Sequence, residues 1–113
     1  MNEDFVSFEL AVKLKEKEFD WETQYKYERN ILAQRYEDIP IPSISQVLKW
    51  LREEKKLFVE IFMYHSCYLY EIYNTEIYDV DFTQKSEKYS EEEYASYEQA
   101  ALAGIEYVLD NLI

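Results

Sequence analysis

The sequence predicts an α+β fold: an antiparallel meander of three or four strands with helices packed on one face. Three observations predict it. Two segments carry apolar residues at helical spacing behind Ser-x-x-Gln capping boxes. The centre of the chain is dense in Val, Ile, Phe and Tyr, the residues that suit a pleated surface. The connections between these central segments are short and polar, as hairpins require. With 113 residues, one domain spanning residues 1–113 is the expectation.

The first element is a helix over Phe5–Lys17, with Ser7 as N-cap, Glu9 in the first turn and lysines at the end. Phe8, Ala11, Val12 and Lys15 lie along one side, and Leu10 and Leu14 form an adjacent i, i+4 pair, so the apolar stripe is broad enough to face a core. Gln24–Tyr27 alternates as an edge strand would, whereas Asn30–Tyr36 fits a strand or a short helix equally. Ile39-Pro40-Ile41-Pro42 reads as an extended connector, because each proline pushes its predecessor away from the α region. Ser43 and Gln46 then form a capping box opening a second helix, with Ile44, Val47, Leu48 and Leu51 as its buried stripe and Trp50 beside it.

Leu57–Tyr64 reads as a central strand, apolar on both faces except at Glu60. His65-Ser66-Cys67 is a hairpin connection into Tyr68–Tyr73, and Asn74-Thr75 marks another tight turn. Glu76–Phe82 alternates acidic with apolar residues, the pattern of a half-exposed strand with Asp79 and Asp81 on one face. Thr83–Ser90 is polar enough to be a loop. A last helix begins at Ser96 with Gln99 completing its capping box, and Ala101, Ile105, Val108 and Leu112 form its core stripe, widened by Leu102 and Leu109. Gly104 stands inside that helix at a cost of about 1 kcal/mol relative to Ala. Close approach to a sheet beside Ala100 and Ala101 accounts for it.

Composition narrows the function. Gly104 is the only glycine of the chain, so the glycine-rich phosphate cradles of P-loop and dinucleotide-binding enzymes are absent. Cys67 is the only cysteine, which excludes an intramolecular disulfide. The acidic start at Met1-Asn2-Glu3-Asp4 lacks the features of a secretory signal, and no apolar run approaches the ~20 residues of a spanning helix. A cytoplasmic location, without membrane association, is expected. Tyrosine occurs 12 times, which serves strand packing and, at some positions, an interface.

The charge is unevenly placed. Residues 1–56 hold 12 acids and 10 bases, whereas residues 57–113 hold 12 acids and two bases, Lys85 and Lys88. A domain built this way presents a coherent negative field. Such a field keeps a small protein soluble and monomeric, or it fits a basic groove made for nucleic acid. In the second case Asp and Glu stand in for phosphates and Tyr rings for bases. The candidate partner-binding residues are Tyr68, Tyr70, Glu71, Tyr73, Glu76, Tyr78, Asp79 and Asp81, with Glu91, Glu92 and Glu93 as steering charges.

Catalysis is not expected. His65 and Cys67 are two apart, but a thiol–imidazole pair normally needs a third group to orient the imidazole. A metal site needs three or four ligands, and these two are the only soft ones, so neither a metal nor a cofactor is expected. Carboxylates are too numerous for any pair to mark glycoside chemistry.

Three blocks, Phe5–Asp20, Pro42–Glu53 and Ser96–Ile113, resemble short proteins borne by phages and prophages of the Bacteroidota. Members of that group often have glycine where this chain has Glu18, so its first helix is expected to stop differently. The resemblance implies a mobile-element origin and supplies no catalytic motif. Small acidic proteins of that origin are similar in general character to inhibitors of host defence, including anti-CRISPR proteins. That likeness implies stoichiometric binding to a type VI or type II CRISPR effector nuclease, as a monomer or weak dimer and without direct contact to nucleic acid. The alternative is a phage adaptor or structural protein whose acids serve solubility alone.

Overall fold

The computed structural model describes residues 5–27, 39–78 and 84–113. It is an α+β fold whose elements run α1 (Phe8–Glu16), β1 (Tyr25–Tyr27), β2 (Ile39–Ile41), α2 (Ile44–Glu54), β3 (Leu57–Tyr64), β4 (Cys67–Tyr78), β5 (Gln84–Tyr89) and α3 (Tyr97–Asn111). The chain gathers into two compact units, Met1–Ile44 and Ser45–Ile113.

In the first unit, Ser7 caps α1 by accepting a hydrogen bond from the Leu10 amide at 3.2 Å. The buried side of α1 is Leu10, Ala11 and Leu14, continued by Val6 and Phe19. Phe8, expected on the core side, is 45% exposed, because the Leu10–Leu14 pair occupies the buried stripe instead. The helix ends in a Schellman motif: the Phe19 amide donates to the Leu14 carbonyl and the Glu18 amide to the Lys15 carbonyl, both at 3.0 Å. Glu18 holds the left-handed position of this motif, at φ 67°. Leu14 and Phe19 supply its buried hydrophobic contact positions.

Residues 39–41 are a strand as well as a connector: β1 and β2 pair antiparallel, with Tyr25 opposite Ile41 and Tyr27 opposite Ile39. Pro40 pairs with Lys26 in a two-stranded ribbon, the setting where a missing N–H is tolerated. The expectations for Asn30–Tyr36 and for Asp79–Phe82 fall outside the described residues.

In the second unit, α2 buries Val47, Leu48 and Leu51, as its spacing predicts, and buries the flanking Trp50 as well. The sheet is a three-stranded antiparallel meander in the order β3-β4-β5. Its first turn is a two-residue loop, His65-Ser66, with both residues at positive φ (50° and 67°), the geometry that matches strand twist in a hairpin. Cys67 already belongs to β4, opposite Tyr64.

The sheet departs from the sequence pattern at three places. Among the described residues, β3 is an edge strand and β4 the central one. Asn74-Thr75 is not a turn: the Lys56 carbonyl accepts from the Thr75 amide at 2.8 Å and its hydroxyl at 3.2 Å, so β4 runs straight on. Asn74 meets its local preference inside the strand, its Oδ1 accepting from the Glu76 amide at 2.9 Å. Finally, most of the presumed Thr83–Ser90 loop is β5, a polar strand with Lys85 and Lys88 and irregular register against β4. An irregular register is one device that protects an edge strand from unwanted pairing.

α3 packs against β3 and β4. Ser96 caps it, accepting from the Gln99 amide at 3.1 Å, while the Gln99 side chain accepts from the Ala95 amide at 3.1 Å. Its buried positions are Ala100, Ala101, Gly104, Ile105, Val108 and Leu109. Leu102 and Leu112 stay half-buried, because the face nearest the sheet is made of the smallest residues. A Cβ on Gly104 would lie 2.8 Å from Val59 Cγ1 and 3.2 Å from Tyr70 Cγ. Close approach therefore explains the glycine.

Candidate functional site

The alternation of side chains along β4 divides the expected surface in two. Val59 and Tyr70, the groups that Gly104 meets, mark the face toward α3, and Tyr68 shares its parity. Glu71 and Tyr73 point the other way. The eleven residues expected to bind a partner therefore do not form one surface.

On the outer face, Glu71 sits between Glu60 of β3 and Tyr89 of β5 in one cross-strand row. Two carboxylates directly opposite repel each other. Tyr73 relieves part of this by donating its phenol proton to Glu71 Oε1 at 2.6 Å. That bond, with lesser help from burial and the charges of Glu71 and Glu60, pushes the Tyr73 phenol up to about 12. Phe62 packs on Tyr89, ring centroids 5.9 Å apart, and Tyr89 stays 49% exposed.

On the α3 side, the acidic triplet is held at both ends. Ser90, 4% exposed, donates its amide to the Tyr70 carbonyl at 2.9 Å and accepts the Tyr70 amide on its hydroxyl at 3.2 Å. The same hydroxyl donates to the Glu92 carbonyl at 3.2 Å. Beyond the triplet, Tyr94 and Tyr68 exchange two backbone hydrogen bonds of 2.8 and 2.9 Å. Glu91, Glu92 and Glu93 are thus exposed on a short span clamped to the central strand.

Tyrosine rings line this region. Tyr68 meets Tyr97 edge-on at 6.4 Å, and Tyr70 meets Tyr94 at 6.3 Å. Tyr70 is 5% exposed, so its ring is core more than surface. Burial first, then the nearby Tyr107 and the charges of Glu91 and Glu92, raise the Tyr70 phenol above its usual range. Tyr94 is raised in the same direction, by burial and then by Glu92, Tyr70 and Glu106.

Glu76 is exposed on β4, and Tyr78 pairs with Gln84 through its backbone. Asp79 and Asp81 lie outside the described residues. Sequence reasoning missed Ser90, Tyr94, Glu60, Glu106 and Tyr107. Tyr94 and Glu60 carried the right chemistry, but their partners across the sheet were not legible from spacing.

His65 and Cys67 do not share a strand face, since His65 is in the turn, its ring edge-on to Tyr64 at 4.2 Å. Desolvation, then the charge and hydrogen bond of Glu93, raise the Cys67 thiol, which disfavours the nucleophilic thiolate. Among the described residues no three His, Cys, Asp or Glu side chains are grouped as a metal site, and no helix is long and apolar enough to cross a membrane.

Comparison with protein-family models, with curated proteins and with solved structures finds no match to this chain.

Proposed function

We propose that this chain is a non-enzymatic phage or mobile-element inhibitor of the anti-CRISPR type, binding the basic nucleic-acid channel of a type VI or type II effector nuclease. The observation that carries the reading is the clamped acidic span. Glu91, Glu92 and Glu93 follow one another on backbone fixed by Ser90 and Tyr94, beside tyrosine rings. A rigid display of charge loses little conformational entropy on binding and keeps its field directed. Residues 57–113, with their 12 acids and two bases, add to that field at longer range. The choice of a CRISPR effector as target rests on the resemblance to phage-borne proteins.

The test is capture of partners from host lysate on tagged protein at low and high salt, with mass spectrometry of protein and RNA. A guide-bearing nuclease that elutes as salt rises is the expected result. Reversal of Glu91, Glu92 and Glu93 to Lys slows its association more than reversal of the exposed Glu9 and Glu16. Equal effects of the two sets would remove the acidic span from the interface.

A second reading, an adaptor for another protein, is favoured by the exposed end of the β3–β4 hairpin. Met63 and Tyr64 are 61% and 54% exposed there. A salt-resistant partner lost on Tyr64→Ser would establish it and leave the acids a solubility role.

A further inference from the structure

Beside the clamped span, the outer flank of α3 forms an open cavity of about 300 Å³ with Tyr70 and Tyr94. Helix residues Ala103, Glu106, Tyr107 and Asp110 complete the lining that matters here. The volume sits at the small end of ligand sites, the scale of one side chain rather than of a nucleotide.

Every group with a preference in this cavity prefers a cation. The tyrosine rings offer negative π faces. Glu106 and Asp110 stand one helical turn apart on the same flank and carry carboxylates. The cavity also reaches the last turn of α3 at Asp110, the negative end of the helix dipole, where the helix has no basic residue of its own. The chain itself displays the chemistry next door: Lys88 Nζ lies over the Tyr107 ring, 5.2 Å from its centroid, and 3.1 Å from a Glu91 carboxylate oxygen.

We propose that this cavity receives a single arginine side chain of the partner. A guanidinium is flat, so it can stack on a tyrosine face while its forked donors meet two carboxylate groups, which a compact ammonium cannot do together. The inference rests on the reading of a basic channel as the partner, and it makes Tyr94, Glu106, Tyr107 and Asp110 the anchoring point inside a diffuse electrostatic contact.

Two-dimensional NMR of the full chain, titrated with N-acetyl-arginine methylamide, tests it. Amide shifts confined to Tyr94, Ala103, Glu106, Tyr107 and Asp110 are expected. The uncharged citrulline analogue should bind about tenfold more weakly or not at all, as loss of a charge-assisted fork implies. Glu106→Gln with Asp110→Asn should weaken arginine binding by a similar factor, with the remaining spectrum unchanged. Equal shifts with citrulline, equal or tighter binding of N-acetyl-lysine methylamide, or shifts spread along Glu91–Glu93 and Glu60 would overturn the proposal. The two readings fail separately. If the channel reading is wrong, arginine still fills the cavity but no salt-sensitive partner is captured. If the cavity is wrong, Glu106→Gln leaves capture of the nuclease intact while reversal of Glu91–Glu93 still slows its association.

Discussion

Ser90 grips Tyr70 from two directions, donating its amide to the Tyr70 carbonyl and accepting the Tyr70 amide on its hydroxyl. Because β5 ends at Tyr89, Ser90 extends the pairing of β4 by one residue with a side chain in place of a backbone carbonyl. The acidic span begins at the next residue.

Ser90→Ala removes the acceptor of a buried amide and the donor to the Glu92 carbonyl. A loss of about 1–3 kcal/mol in stability is expected from the unsatisfied amide. Urea denaturation reads the loss, and hydrogen exchange at Tyr70 and Tyr94 should accelerate. Unchanged exchange there would mean that the span is held by Tyr94 and Tyr68 alone.

Gly104→Ala sets two effects against each other. Helix propensity favours Ala by about 1 kcal/mol. Contact with Val59 Cγ1 at 2.8 Å and the Tyr70 ring at 3.2 Å is overpacking, which costs about 1–3 kcal/mol. Both neighbours are buried and cannot swing away, so net destabilisation is expected. Val59→Ala combined with Gly104→Ala should lose less than the two single changes added together, the mark of direct contact.

Glu18→Gly should stabilise the chain by about 1 kcal/mol, because a side chain in the left-handed region is strained and glycine is not. A lower denaturation midpoint for the variant would show that the Glu18 side chain contributes more than its backbone costs.

Tyr73 titrates near 12 because its proton is shared with Glu71. Folded acidity is weaker than unfolded acidity, so this bond stabilises the fold fully below pH about 10 and fades as pH rises through about 12. Ultraviolet titration of tyrosinate should show a late component near pH 12 that Glu71→Gln brings earlier. Its persistence in that variant would assign the late component to Tyr70 or Tyr94.

Local rules carried the helices far. Ser7 and Ser96 cap where they stand in the sequence, and the α2 stripe is buried as spaced, because caps and periodicity depend on neighbours within one or two turns. Strand order was not legible in the same way. Leu57–Tyr64 is apolar enough for the centre of a sheet and sits at an edge among the described residues, while the polar Gln84–Tyr89 is a strand at all because Tyr89 and Lys88 find partners on β4.

The candidate site shows the same division. Its composition, tyrosines with an excess of acids after residue 56, was written in the sequence. Which of those residues meet was not. Tyr70 and Glu71 are neighbours in the chain and occupy opposite faces, since a strand turns alternate side chains apart. Tyr94 and Tyr107, far from Tyr70 in sequence, reach it only once the span after Ser90 folds back and α3 lies on the sheet. Even the single glycine follows this logic. Among the described residues the left-handed positions fall to Glu18, Lys56, His65 and Ser66, and Gly104 is spent where helix and sheet must touch. The helices, the sign of the field and the chemistry available are local or summed properties, and the order of residues carries them alone. The edges, the faces and the cavity arise only on folding, because pairing and packing join residues that no short-range pattern connects.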